Sequence, residues 1–203
     1  MTSFITTEKK CYSRKYDAFP KEYLQLLQRN ILESPYLAAS QLSENFVKTK
    51  GFSVVFKRSG IPEVEKHFPY FKIYLDSALK SSCNAFYLNP LILEGNTYIE
   101  SHVDCSISEY GMEIVVPNLV SVLYIQVPGD LVGGELVLQQ SEELIWQVAP
   151  QTNTLLYFLG WTMHSVNPVK SLHQRISLIC EQYNLNESRL NKIPDFEIKS
   201  ANL

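Results

Sequence analysis

From Pro20 onward, apolar positions recur with helical spacing: Tyr23, Leu27 and Ile31 share one face. Ser34-Pro35 then reads as an N-cap followed by proline at the first helical position, after which Ala39, Leu42 and Phe46 line a second helical face. Phe52-Ser53-Val54-Val55-Phe56 follows Gly51 and is short, aromatic and β-branched, which predicts a strand. Beyond Arg58-Ser59-Gly60, helical spacing returns through Val64, Phe68, Phe71 and Leu75 to about Leu79, with Pro69 as a kink or restart. These stripes read as core-facing sides of helices packed on a sheet.

The period changes at Cys83. Asn84 to Leu88 and Leu91-Ile92-Leu93 lead to the turn Glu94-Gly95-Asn96 and then to Tyr98-Ile99-Glu100-Ser101-His102-Val103-Asp104. Residues 105–116 read as a long loop that could cover a site, and further short apolar runs follow: 119–126, 133–138, 144–148, 154–159, 163–169 and 175–183. Turn residues separate them: Pro128-Gly129-Asp130, Ser141-Glu142-Glu143, Pro150 to Asn153, and Gly160. Many short strands at such spacing predict an antiparallel double-sheet jelly roll, and helices first with strands after place the helices against one outer face. The expected class is α+β. A single domain is divided into mainly helical support (1–82), a cupin-like jelly-roll core (83–185) and a polar, partly loose tail (186–203).

Composition narrows the setting. The 203 residues are 45% hydrophobic and 19% charged, enough for one sizeable core, and a net charge of −3 gives no general attraction to nucleic acid or anionic membrane. No apolar run is long enough to span a bilayer, and the N-terminus has no apolar signal-peptide core. Cys11, Cys83, Cys105 and Cys180 are scattered and read as free thiols, so a cytoplasmic protein is expected, with Cys105 as a buried, inert thiol.

Candidate chemistry begins in the 98–104 strand. Side chains two apart point the same way, so His102 and Asp104 form a two-armed clamp for a divalent metal. In a jelly roll, distant strands face one another across the mouth, and His164 would complete a 2-His-1-carboxylate triad suited to Fe(II), without excluding Mn, Co or Zn. Arg175 and Ser177 share a strand face, with Ile176 and Leu178 packing behind. A buried guanidinium there requires an anion, and its planar fork suits a carboxylate. Trp161 lies near enough to His164 in sequence to line a substrate pocket, whereas Gly133-Gly134 suggest a bulge or a close backbone approach. His67 and His173 read as surface or capping residues.

In order and joint spacing, Tyr98 to Asp104, Gly133-Gly134-Glu135-Leu136, His164 to Val169 and Arg175-Ile176-Ser177 resemble the iron(II)- and 2-oxoglutarate-dependent dioxygenase superfamily, nearest its prolyl 4-hydroxylase-like branch. The resemblance covers residues 83–185, with a slightly long interval between His164 and Arg175. It implies a double-stranded β-helix with N-terminal helices on its major sheet. His102, Asp104 and His164 would hold Fe(II), 2-oxoglutarate would chelate the iron, and Arg175, Ser177 and Tyr124 would hold its far carboxylate. It further implies O2 as cosubstrate, ascorbate as a supporting reductant, succinate and CO2 as co-products, and hydroxylation of an unactivated C–H bond. The substrate would be a small molecule or a peptide, with an amino acid or a proline-containing peptide among the candidates, and with neither nucleic acid nor membrane as partner. Asp104 separates the chain from halogenating relatives, which have a small residue there. Two other readings stay open: a cupin-like metal enzyme that does not use 2-oxoglutarate, with Arg175 holding a substrate carboxylate, and a non-catalytic jelly-roll binding protein.

Overall fold

The computed structural model describes residues 12–39, 46–47, 49–111, 113–139, 141 and 145–200. The N-terminal part contains β1 (Tyr12–Lys15), α1 (Lys21–Leu32), β2 (Ala38–Ala39), β3 (Phe46–Val47), β4 (Lys50–Gly51), β5 (Ser53–Lys57), α2 (Ile61–His67) and α3 (Lys72–Ala78). Then come β6 (Ala85–Leu93), β7 (Tyr98–His102), β8 (Leu119–Gln126), β9 (Val132–Gly133), β10 (Leu136–Gln139), β11 (Ile145–Val148), β12 (Thr154–Leu159), β13 (Met163–Val166), β14 (Val169–Lys170) and β15 (Arg175–Tyr183). α4 (Glu187–Leu190) and β16 (Phe196–Lys199) follow.

The strands sort into two main sheets. The larger has the order β1-β12-β8-β15-β6-β4-β2, with β5 joined to β6 and β16 to β5; the smaller has the order β11-β10-β13-β7-β3. Between β6 and β15 the chain passes repeatedly from one sheet to the other, so side chains from widely separated segments face a common interior. β15 is central, paired antiparallel to β6 on one side and β8 on the other. Its side chains alternate: Ile176, Leu178 and Cys180 join the core under the helices, while Arg175, Ser177, Ile179 and Glu181 face the cavity between the sheets. A strand covered on both faces reads as nearly continuous apolar sequence, as β6 does, so Arg175, Ser177 and Glu181 on the inner face of β15 stand out.

Pro90 lies in the middle of β6, where a ladder donor is normally needed. It sits where the flanking partner changes from β5, which pairs residues 85–88, to β4, which pairs Leu91 and Ile92. The missing N–H therefore falls at a gap in the ladder.

α1 buries Tyr23, Leu24, Leu27 and Ile31, and α3 buries Tyr74, Leu75 and Ala78, against the outer face of the larger sheet. Polar contacts fix this layer. Tyr74 Oη lies 3.0 Å from Ser121 Oγ on β8, and Gln182 Nε2 on β15 donates to both Ser121 Oγ and the Ala78 carbonyl at 3.1 Å. The helices thus support the strands that carry the cavity wall.

The α1 helix, the 53–57 strand and the helix that restarts after Pro69 form where the hydrophobic pattern places them. The helix expected after Ser34-Pro35 does not form. Ala38–Ala39 pairs with Lys50–Gly51, and Phe46–Val47 pairs with Tyr98–Ile99, while Leu42 lies outside the described residues. The N-terminal part thus adds short strands to its helices, because edges of both sheets recruit its short segments. The tail is also more ordered than its polarity implied, since Phe196–Lys199 adds a strand to β5. The 105–116 segment contains a 3-10 helix, Ser106–Tyr110.

Gly60 measures how closely the tail docks: a Cβ there would lie 1.7 Å from the Asp195 carbonyl oxygen. Gly60→Ala should destabilise the protein by about 1–3 kcal/mol in urea unfolding. Gly129→Ala meets nothing within 4 Å and should stay within about 0.5 kcal/mol of the parent.

Candidate functional site

β7 ends at His102, and Asp104 follows in irregular backbone just before the 3-10 helix. On the facing strand of the smaller sheet, β13 brings His164 directly opposite His102 in register. The two imidazole centroids are 4.3 Å apart. His102 Nε2 lies 3.3 Å from Asp104 Oδ1, and His164 Nε2 lies 3.5 Å from Asp104 Oδ2. One ligand atom from each of the three residues falls within 4.8 Å of the others.

The outer nitrogens fix the chemistry of the inner ones. His102 Nδ1 is 2.8 Å from the Glu100 carbonyl, and His164 Nδ1 is 3.0 Å from the Thr162 carbonyl. A carbonyl only accepts, so each Nδ1 carries a proton, and each Nε2, when the ring is neutral, is the lone-pair nitrogen on the Asp104 side. Two lone-pair nitrogens and a carboxylate then converge, and a cation is what such a group binds.

Without a metal, the electrostatics are those of a site sharing protons. Burial raises the Asp104 carboxyl, but His164 and then His102 more than offset this, leaving its pKa below the ordinary carboxylate value. Burial lowers His164 more than Asp104 raises it, leaving it below the usual imidazole value. For His102 burial also lowers, but the hydrogen bond and attraction of Asp104 prevail and its pKa is raised.

These residues line a cavity of about 540 Å³ between the sheets. Arg175, Ser177 and Tyr124 lie on the larger-sheet wall, and Ser177 pairs with Tyr124 across the β15–β8 ladder. Arg175 is 3% exposed, Ser177 1% and Tyr124 0%, yet Arg175 Nε, Ser177 Oγ and the Tyr124 hydroxyl make no hydrogen bond among the described residues. The guanidinium is only partly satisfied. Its Nη1 donates to the Gly134 carbonyl at 2.6 Å, and its Cζ lies 5.0 Å from the Tyr124 ring centre. Burial holds its pKa below the ordinary value, with Tyr124 and Glu135 opposing. Gly133 (φ 79°) and Gly134 (φ 72°) adopt backbone that favours glycine, and a Cβ on Gly133 would lie 2.2 Å from the Pro168 carbonyl oxygen. That conformation presents the Gly134 carbonyl to Arg175.

Trp161 does not join the cavity. His164 faces inward on β13 and its strand neighbour Met163 outward, at 43% exposure, while Trp161 lies in the turn before β13 and is 48% exposed. The aromatic ring against His164 is Phe158, with centroids 4.9 Å apart. Cys105 is exposed, because β7 has already ended and the backbone turns into the 3-10 helix there. His67 lies on the surface, stacked on Phe196, and His173 is exposed.

The sequence reading missed Glu181. It is 3% exposed and lines the same cavity. Ser106 reaches it through its N–H at 3.2 Å and its hydroxyl at 2.5 Å, and the Tyr183 hydroxyl also donates to it. Burial, followed by the negative charge of Asp104, pushes its pKa up to about 8 against those donors. Its signal was available, since it continues the Arg175–Ser177 face by the same period of two.

No protein-family model matches the chain, and no curated protein matches its sequence. Solved structures do match its fold. A prolyl-4-hydroxylase from Pseudomonas putida superposes with a TM-score of 0.58 at 15% identity, covering 87% of this chain and 94% of that one. An oxidoreductase of the 2OG-Fe(II) oxygenase family from Burkholderia pseudomallei gives 0.58 at 14%, covering 87% and 86%. A prolyl hydroxylase from Trichoplax adhaerens, in complex with a hypoxia inducible factor oxygen degradation domain peptide fragment, gives 0.59 at 13%, covering 89% and 86%. The chain therefore has the fold of the prolyl-4-hydroxylase-like and 2OG-Fe(II) oxygenase structures.

Proposed function

We propose that this chain is an Fe(II)- and 2-oxoglutarate-dependent oxygenase that hydroxylates an unactivated C–H bond, and that its two facing sheets form a double-stranded β-helix. One observation carries the reading. A single cavity holds both a metal-ligand triad and a buried guanidinium whose neighbouring donors have no partner among the described residues. A metal alone accounts for the first and leaves the second unexplained. A dicarboxylate bridging metal and arginine accounts for both, and the fold likeness to 2OG-Fe(II) oxygenases agrees with it.

The residues fit the group. His102, Asp104 and His164 offer two neutral nitrogens and one carboxylate oxygen, which leave coordination positions for small ligands. Arg175, Ser177 and Tyr124 would hold a carboxylate with charge-assisted hydrogen bonds, relieving a desolvation cost on the order of several kcal/mol. Once bound, iron and 2-oxoglutarate supply the oxidising chemistry, with O2 consumed and succinate and CO2 released. The protein's share is positioning. The Glu100 and Thr162 carbonyls orient the imidazoles, and Val120, Val122, Leu136 and Ile179 provide apolar walls that limit water. The substrate is a small molecule or a peptide; the Trichoplax neighbour's peptide complex supports the second as a possibility within this fold.

With Mn(II) as a redox-silent stand-in, 2-oxoglutarate should bind by calorimetry, and with Fe(II) and ascorbate the protein should form succinate. Metal retention with indifference to 2-oxoglutarate would move the reading to a cupin-like enzyme. Asp104→Ala should weaken Mn(II) binding by more than about a hundredfold.

Arg175→Met should separate ligand binding from stability. 2-Oxoglutarate affinity should fall about a hundredfold or more, while the ligand-free protein should melt at the same temperature or higher, because a buried charge with few partners contributes little to folding. A large loss of thermal stability would mark Arg175 as a structural ion instead.

A further inference from the structure

The cavity has an ionisable group at each end, and the oxygenase reading uses only one. On β15, Arg175, Ser177, Ile179 and Glu181 face the cavity in turn. Glu181 therefore stands about 20 Å along the strand from Arg175. Its neighbours in register are Tyr87 on β6 and Val120 on β8, whereas the Arg175 end is built around Tyr124 and Ser177.

Glu181 is 3% exposed and forms no ion pair with any lysine, arginine or histidine among the described residues. The Ser106 N–H, the Ser106 hydroxyl and the Tyr183 hydroxyl orient its oxygens but bring no positive charge. The other acid at this end of the cavity, Glu109, is paired with Lys199. With a divalent metal on Asp104 and a dianionic 2-oxoglutarate shared between metal and Arg175, those charges balance. The carboxyl of Glu181 is then the one without a counter-ion; burial favours its protonated form, and its ionised form is costly there unless a cation joins it. Pinning Ser106 does not require that cost, because a neutral glutamine amide oxygen accepts the same hydrogen bonds.

Resting on the oxygenase reading, we propose that Glu181 is a substrate-binding residue that receives the ammonium group of a small amine-bearing substrate. Size argues for a small molecule. The cavity of about 540 Å³ must also take 2-oxoglutarate. The Ser106–Tyr110 segment beside it is held down by Glu181, by the Lys199–Glu109 and Tyr110–Glu197 contacts, and by Lys192 donating to the Gly111 carbonyl at 2.9 Å.

The test uses the full chain loaded with Mn(II), on which 2-oxoglutarate binding is measured first by calorimetry. If 2-oxoglutarate does not bind, the oxygenase reading itself fails. If it binds, the loaded protein is titrated with the common L-amino acids against 2-hydroxy acids of the same skeleton, and with putrescine against 1,4-butanediol. At least one amine should bind about tenfold or more tightly than its hydroxyl counterpart, and the same amine should raise succinate formation with Fe(II). Glu181→Gln should remove that preference, bringing amine and hydroxyl forms within about threefold of each other. A purely structural role would weaken both forms alike and leave their ratio unchanged. If 2-oxoglutarate binds but no amine does, or if the hydroxyl forms bind equally well in the parent protein, the assignment of Glu181 is overturned while the oxygenase reading stands. If Glu181→Gln does not fold, Glu181→Asp takes its place, and the comparison in the parent protein can still overturn the assignment.

Discussion

Strict alternation along a strand paired on both sides governs this structure. β15 is held by β6 and β8, so it cannot rotate or slip without breaking two ladders. One set of its side chains closes the core beneath the helices, and the other set faces the cavity. A shift of one residue would exchange them, placing Arg175 in the apolar layer and Ile176 in the cavity. The helical layer, fixed to this sheet through Tyr74, Ser121 and Gln182, guards against that shift.

The metal-ligand cluster has a different origin. It arises between strands of the smaller sheet, where His164 lies opposite His102, and from a carboxylate on the loop beyond. The ligand residues are short and close to backbone that is itself held, each imidazole by a carbonyl two residues away. Preorganisation of this kind keeps the acceptors together despite their mutual repulsion.

Legibility in the sequence followed the range of the interaction that decides each feature. The inward face of Arg175 and Ser177 could be read because it depends only on neighbours two apart. The same rule, carried two steps further, reaches Glu181, whereas Trp161 lies in the turn before β13, beyond the reach of strand alternation. Glu181 was thus missed by incomplete use of a local rule, not by lack of information. The Ser34-Pro35 segment and the tail differ, because their states depend on partners far along the chain, Lys50–Gly51 and Ser53–Lys57 respectively. Helical spacing over three apolar residues is too slight to outweigh a nearby sheet edge. The unsatisfied donors of Tyr124, Ser177 and Arg175 were also beyond the sequence, since an absent hydrogen bond is visible only in three dimensions.

Because Arg175 and Glu181 stand on one rigid strand, their separation acts as a ruler. Six residues of extended backbone have little compliance, so the span between the guanidinium and the Glu181 carboxyl is fixed. Changes in what the cavity accepts must therefore come from the walls facing β15 or from the Ser106–Tyr110 segment. Selection by length would be written into the strand itself, and selection by shape into the loops around it.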